Sequence, residues 1–139
     1  MRKAIVLYST ILVLLSSCDP PADYDYYITN QCDEEIIVFY KTKRQDGRDE
    51  GPHKIVIPPY ETILIYDGHW IGKVEDRMIE WFFQAIIIHK GDEISKVNYV
   101  NVYLWEFAPT SKRHANSFLV VTQEVFDGRP RRQWEHETP

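Results

Sequence analysis

The chain has 139 residues, a formal net charge of −5 at pH 7, 44% hydrophobic and 27% charged residues. One domain of the ~100–200-residue class accounts for that length, and the balance excludes a disordered tail, a collagen-like fibre and a multi-span membrane protein. Two cysteines exclude a disulfide-dense scaffold, while 14% aromatics is a rich complement.

The N-terminus reads as an address. Arg2 and Lys3 precede the apolar run Ala4–Leu15. A membrane-spanning helix needs ~20 apolar residues and a signal h-region roughly 7–15, so this run fits a signal peptide. Leu15-Ser16-Ser17-Cys18 follows directly and resembles the lipobox of bacterial lipoproteins. That resemblance implies a cleaved signal peptide over 1–17, a diacylglyceryl group on the Cys18 thiol and an acylated new amine. Two or three chains make a stable anchor, because each buried CH₂ contributes ~0.8 kcal/mol and one chain holds only marginally. Cleavage removes Arg2 and Lys3, so the mature chain is more acidic. Lipidation of Cys18 leaves Cys32 alone, which excludes an intramolecular disulfide and favours burial of its thiol.

Residues 18–24 read as a lipidated tether, extended by Pro20 and Pro21. Its acids, Asp19 and Asp23, loosely resemble the surface-export signals of Bacteroidota lipoproteins. Residues 25–127 read as one β domain. Short β-branched and aromatic runs predict strands at 25–29, 35–41, 54–57, 62–66, 84–89, 97–107 and 118–122. Turn chemistry separates them at Asn30–Asp33, Gln45–Gly47, Pro58-Pro59, Lys90–Asp92 and Pro109–Ser111. Seven short strands with no βαβ alternation point to an all-β sandwich. One segment has helical spacing: Val74, Met78, Trp81 and Phe82 share a face, so a short helix over 73–83 is expected across the open end of the sandwich. A helical turn is expected after Thr122, and 128–139 reads as a flexible tail. Alternation places Ile36, Val38 and Tyr40 inward, with Ile55, Ile57, Leu64, Ile86, Ile88 and Val120, and turns Ile37 and Phe39 outward.

Several of these stretches resemble small uncharacterised Bacteroidota-type lipoproteins. They are Ile28-Thr29-Asn30 with Asp33–Tyr40, Ile57–Glu61 leading to Tyr66-Asp67, Trp81–Phe83 running into Ala85–Lys90, and Val120–Phe126. The resemblance implies an immunoglobulin-like sandwich of about seven strands with one short helix. It carries no activity and no catalytic residues. Residues 97–115 depart from it through a longer strand and the basic loop Lys112-Arg113-His114.

No catalytic or metal motif stands out. The five histidines, His53, His69, His89, His114 and His136, lack His-x-His or His-x₃-His spacing, and no paired cysteine exists, so no metal site and no cofactor are expected. The loop 46–51 lacks the acid order of a calcium loop. Ser95, Ser111 and Ser117 lie outside any Gly-x-Ser-x-Gly motif. Gly128–Arg132 resembles the core of an AT-hook, yet an acidic chain with an export signal is a poor partner for phosphates, so no nucleic acid is expected. The aromatic surplus is the one binding feature. Trp70, Trp105, Tyr99 and Tyr103 are candidates for rings that stack on sugar faces or anchor a partner, with 67–72 as the loop most apt to present one.

The chain is therefore expected to be a lipid-anchored cell-envelope protein that binds or scaffolds, without enzymatic turnover. The expected compartment is the outer membrane, with its side left open, and the expected partners are the membrane, through palmitate-type acyl chains, and a glycan or protein. The alternatives are a carbohydrate-binding surface lipoprotein, an inhibitor or immunity-type periplasmic protein, and a small hydrolase. The main concavity is expected to be shallow and bordered by the 74–83 helix.

Overall fold

The computed structural model describes residues 20–43 and 49–127. The expected signal peptide over 1–17, the expected lipidation site Cys18 and the expected tail 128–139 lie outside the described residues. Eight strands form: β1 Pro21–Asn30, β2 Ile36–Lys43, β3 Asp49–Ile57, β4 Thr62–Ile71, β5 Phe83–Lys90, β6 Glu93–Ile94, β7 Glu106–Ser111 and β8 His114–Val121. They make two four-stranded sheets, ordered β4-β1-β8-β7 and β3-β2-β5-β6. The pairing is antiparallel except for β1 with β8, which run parallel. This is the expected all-β sandwich with one short helix, built from eight strands.

Period-two alternation builds its core. Ala22, Tyr24, Tyr26 and Ile28 of β1 point inward to meet Ile36, Val38 and Tyr40 of β2 and Phe83, Ile86 and Ile88 of β5. Tyr26 is the centre of an aromatic cluster, with Phe82, Phe83 and Trp105 rings all edge-on at 5.2–5.8 Å. Edge-to-face pairs of this kind satisfy the ring quadrupoles and add to area burial. Ile37 and Phe39 are half-buried on the outer face, where Phe39 meets His89 edge-on and lies under the Lys54 ammonium.

Five local expectations are corrected. The tether ends before 24, because β1 already starts at Pro21 and buries Ala22 and Tyr24. A proline at the first residue of a strand removes no donor the ladder needs. In β4 the inward residue is Ile65, 4% exposed, and Leu64 is 44% exposed. The cause is a bulge: Tyr26 pairs with Tyr66 and Tyr27 with Leu64, leaving Ile65 as the extra residue and shifting the phase. In β8 the buried set is Ala115, Ser117, Leu119 and Val121, so Val120 is only half-buried; Ile55 likewise only packs at the edge of the core. Residues 97–105 form no strand. They cross the sandwich as an irregular cover with a 3₁₀ turn at Val102–Leu104, and the strand of this region is β7, further on. Finally, the helix is a 3₁₀ turn at Asp76–Met78 continued by the one-turn α1, Ile79–Phe82. Met78 and Phe82 are buried and Val74 half-buried as expected, with Glu75, Asp76 and Arg77 exposed, but Ile79 joins the buried set.

The topology gives the sandwich two chemically distinct ends. The start of β1, the end of β4, α1 and the β7–β8 turn share one end, tied by Gly72 N–H to Pro20 O at 3.4 Å and Asp23 N–H to Arg113 O at 2.7 Å. The β1–β2 corner, the β3–β4 turn, the β5–β6 turn and the 3₁₀ turn Gln123–Val125 share the other.

Candidate binding site

The four rings singled out from sequence do not form a platform. Tyr99 and Trp105 are core residues, because the 97–105 cover folds them inward. Trp105 Nε1–H donates to Tyr99 O at 2.7 Å, and the Tyr99 hydroxyl meets Ser95 Oγ at 2.7 Å. Burial pushes the Tyr99 phenol up to about 12, against the opposing Ser95 hydrogen bond. Tyr103 is exposed on the same cover. Trp70 is half-buried at the end of the sandwich where β1 starts (the entry end), its ring 5.3 Å from that of Trp81, which is 60% exposed.

A concavity of about 440 Å³ opens at the opposite end from α1, lined by Gln31, Cys32, Asp33, Glu34, Tyr60, Lys90 and Gln123. Its walls are turns held by one buried side chain, Asn30. The Asn30 Nδ2 amide donates to the carbonyls of Glu34, Ile57 and Pro58 at 2.8, 3.0 and 3.1 Å, and its Oδ1 accepts the Cys32 N–H at 2.9 Å. The β1–β2 corner and the β3–β4 turn are thereby clamped together.

Tyr60 stands on the rim. In Pro58-Pro59-Tyr60-Glu61 the Glu61 N–H returns to Pro58 O at 3.3 Å, which places Tyr60 third in a tight turn. Its φ is +62°, and it is the only non-glycine with positive φ among the described residues. Turns of this kind ask for Gly or Asn there, since a Cβ in the left-handed region costs roughly 1–2 kcal/mol. The bulky side chain at this strained position is 72% exposed, so it contributes little to the core.

Beside it, Lys90 is nearly buried, with Nζ 3.1 Å from Glu93 and 3.9 Å from Glu34, and 5.6 Å from the Phe126 ring centroid. The Glu93 hydrogen bond holds the ammonium above the usual lysine value. Cys32 is buried, and burial pushes its thiol up, so it is a protonated, poor nucleophile at neutral pH. Gln31 and Gln123 offer amide donors and acceptors, Asp33 and Glu34 offer acceptors, and Tyr60 offers a ring face. The sequence reading missed Tyr60; its signal was an aromatic in the slot of a Pro-Pro turn where glycine belongs.

A second polar group lies on the outer face of the β4-β1-β8-β7 sheet. His114 bridges Thr110 Oγ1 and Asp25 Oδ2, at 2.9 Å from Nδ1 and 3.0 Å from Nε2, and His69 Nδ1 lies 2.7 Å from Asp23 Oδ1. The Thr110 hydroxyl also lies 3.1 Å from the His114 carbonyl, so its single proton is shared with the hairpin's own backbone. Among the described residues no group of three or more His, Cys, Asp or Glu is placed to hold a metal ion. Among the described residues no helix is long and apolar enough to cross a membrane.

No family model matches this chain, and neither the curated proteins nor the solved structures contain a match.

Proposed function

We propose that this is a lipid-anchored cell-envelope protein that binds a hydroxyl-rich ligand, a saccharide, at the concavity bearing Tyr60, without chemical turnover. The observation that carries the reading is Tyr60 itself: an exposed ring held at φ +62° on the rim of a polar hollow. Strain of this kind persists where a site needs the side chain in one place. Sugars offer an apolar ring face for stacking and hydroxyls that pair with amides and carboxylates, which is the chemistry of Tyr60, Gln31, Gln123, Asp33 and Glu34. The outer membrane is the compartment proposed, through Cys18 acylation, in keeping with the resemblance to Bacteroidota-type lipoproteins.

Two measurements test the proposal. Radiolabelled palmitate should enter the wild type and not Cys18→Ala, and that variant should leave the lipid-anchored fraction. On an array of purified polysaccharides, the protein should retain at least one, with tenfold or greater loss in Tyr60→Ala and no loss in Tyr103→Ala. Binding that ignores Tyr60, or no binding to any polysaccharide, would sink the saccharide reading. Release of sugar or acyl product by purified protein, abolished in His114→Ala, would instead favour a small hydrolase, for which the Thr110–His114–Asp25 chain is the specific observation.

A further inference from the structure

We infer that the entry end of the sandwich, with Pro21, Ile71 and Trp81 on its rim, rests on the headgroup layer of the membrane that holds the chain's own lipid anchor. The inference depends on the proposed acylation of Cys18. That residue precedes Pro20 by two positions, and a chain spans at most ~3.6 Å per residue, so Pro20 lies within roughly 7 Å of the acylated cysteine. The headgroup layer on each side of a bilayer is itself roughly 5–8 Å deep. Pro20 is also fixed to the fold, through Gly72 N–H and the pairing of Pro21 with Ile71. With so short a connection the domain has no room to stand away from the lipid.

The residues at that corner suit the location. Ile71 is 71% exposed, and Pro21, its partner across the ladder, is exposed as well. Trp81 lies exposed against Trp70, whose body packs on the core. Indole rings favour the membrane–water interface, where an apolar body and a polar N–H are both accommodated. Lys73 follows this corner, and Lys112 and Arg113 form the turn whose carbonyl receives Asp23 N–H. The acids of the 75–80 turn are accompanied by Arg77 and by Lys43, whose Nζ donates to Glu80 O at 2.7 Å. The opposite end exposes Asp33, Glu34, Glu35, Glu61, Asp92 and Glu93, while the Lys90 charge there is already engaged by Glu93. Anionic headgroups repel that end, so charge and tether agree on one orientation, with Tyr60 pointing away from the bilayer.

The test uses the full lipidated protein in vesicles of phosphatidylethanolamine and phosphatidylglycerol, with or without bromine near the glycerol end of the acyl chains. The mass of the N-terminal peptide first reads whether Cys18 carries lipid. Bromolipid should quench tryptophan emission, and Trp81→Phe should remove roughly half of that quenching or more, as expected for an interfacial indole. Ile71→Glu, an exposed position that leaves every tryptophan in place, should also reduce the quenching. Tyr60→Trp in the Trp81→Phe background should add emission that bromolipid leaves untouched. An acylated Cys18 with quenching indifferent to Trp81 and Ile71 overturns the membrane-resting rim and leaves the anchor standing. An unacylated Cys18 removes the anchor, and the rim inference with it.

Discussion

At the residue scale, two side chains decide whether the candidate site exists in its present shape. Asn30 is fully buried, and its amide nitrogen faces three carbonyl oxygens. Asn30→Asp replaces the donor by a carboxylate pointing at those oxygens. The expected loss is about 3 kcal/mol or more, the scale of an uncompensated buried charge. That carboxylate would hold its proton in the folded state and release it on unfolding. The variant should therefore regain stability as pH falls, with urea midpoints closer to wild type at pH 5 than at pH 8. Equal deficits at both values would mean that the charge is not what the site rejects. Tyr60 makes the converse prediction. Glycine normally destabilises relative to alanine through unfolded-state entropy, but at φ +62° the alanine Cβ carries the left-handed penalty. Tyr60→Gly should therefore be more stable than Tyr60→Ala by about 1 kcal/mol in urea unfolding. An order of Ala above Gly would show that the turn relaxes once the ring is gone.

At the element scale, the strands were legible where β-branched runs meet clear turns, as in β2 and β5. They were not where the ladder is irregular. The β4 bulge moves Ile65 inward and Leu64 outward, and no residue in TILIY announces it, since all three central positions are aliphatic. Ile65→Ala should cost ~2–5 kcal/mol as a core truncation, and Leu64→Ala under about 1 kcal/mol as a surface change. Comparable losses in thermal or urea unfolding would restore the period-two register. β7 was hidden by Pro109, which reads as a turn but is tolerated because β7 is an edge strand. The 97–105 cover was misread for the opposite reason. Its Val97, Tyr99, Val102 and Trp105 satisfy strand composition, yet Trp105 Nε1–H closes on Tyr99 O within the same segment. That closure buries two of the rings expected at the surface. Exposure depends on which residues a cover folds over, and composition does not record it. The close approach at Gly68 is similarly invisible: an added Cβ would lie 2.8 Å from Phe82 Cε1 and 2.9 Å from Tyr66 Cε1. Gly68→Ala should cost ~1–3 kcal/mol by overpacking α1 against β4, and a measured effect near zero would show that α1 is free to lift.

At the scale of the whole molecule, buried tyrosines stitch the two sheets and their covers into one unit. Tyr26 sits between the sheets, and the Tyr40 hydroxyl donates to Ile65 O at 2.7 Å. The Tyr24 hydroxyl accepts Glu75 N–H at 2.9 Å and donates to Lys73 O at 3.2 Å, while Tyr99 anchors the 97–105 cover. Burial raises the phenol of each, Tyr26 far above the ordinary tyrosine value and Tyr99 up to about 12. A raised phenol means that the native state keeps a proton the unfolded chain releases above about pH 10. The native state binds more protons there, so the tyrosines' contribution to stability is constant below that pH and is lost as pH rises past it. Between pH 10 and 12, Tyr26 and Tyr99 each contribute a slope approaching about 1.4 kcal/mol per pH unit, together nearly 3. Over those two units that removes up to about 5 kcal/mol, a large share of the ~5–15 kcal/mol that a domain holds. Alkaline titration should therefore show the phenolate absorbance of the buried tyrosines rising in one step, coincident with loss of near-ultraviolet dichroism. Tyr99→Phe should make the stability curve shallower by about 1.4 kcal/mol per unit between pH 10 and 12. Gradual ionisation of every tyrosine with the dichroism intact would mean that water reaches these hydroxyls and that the two sheets do not stand or fall together.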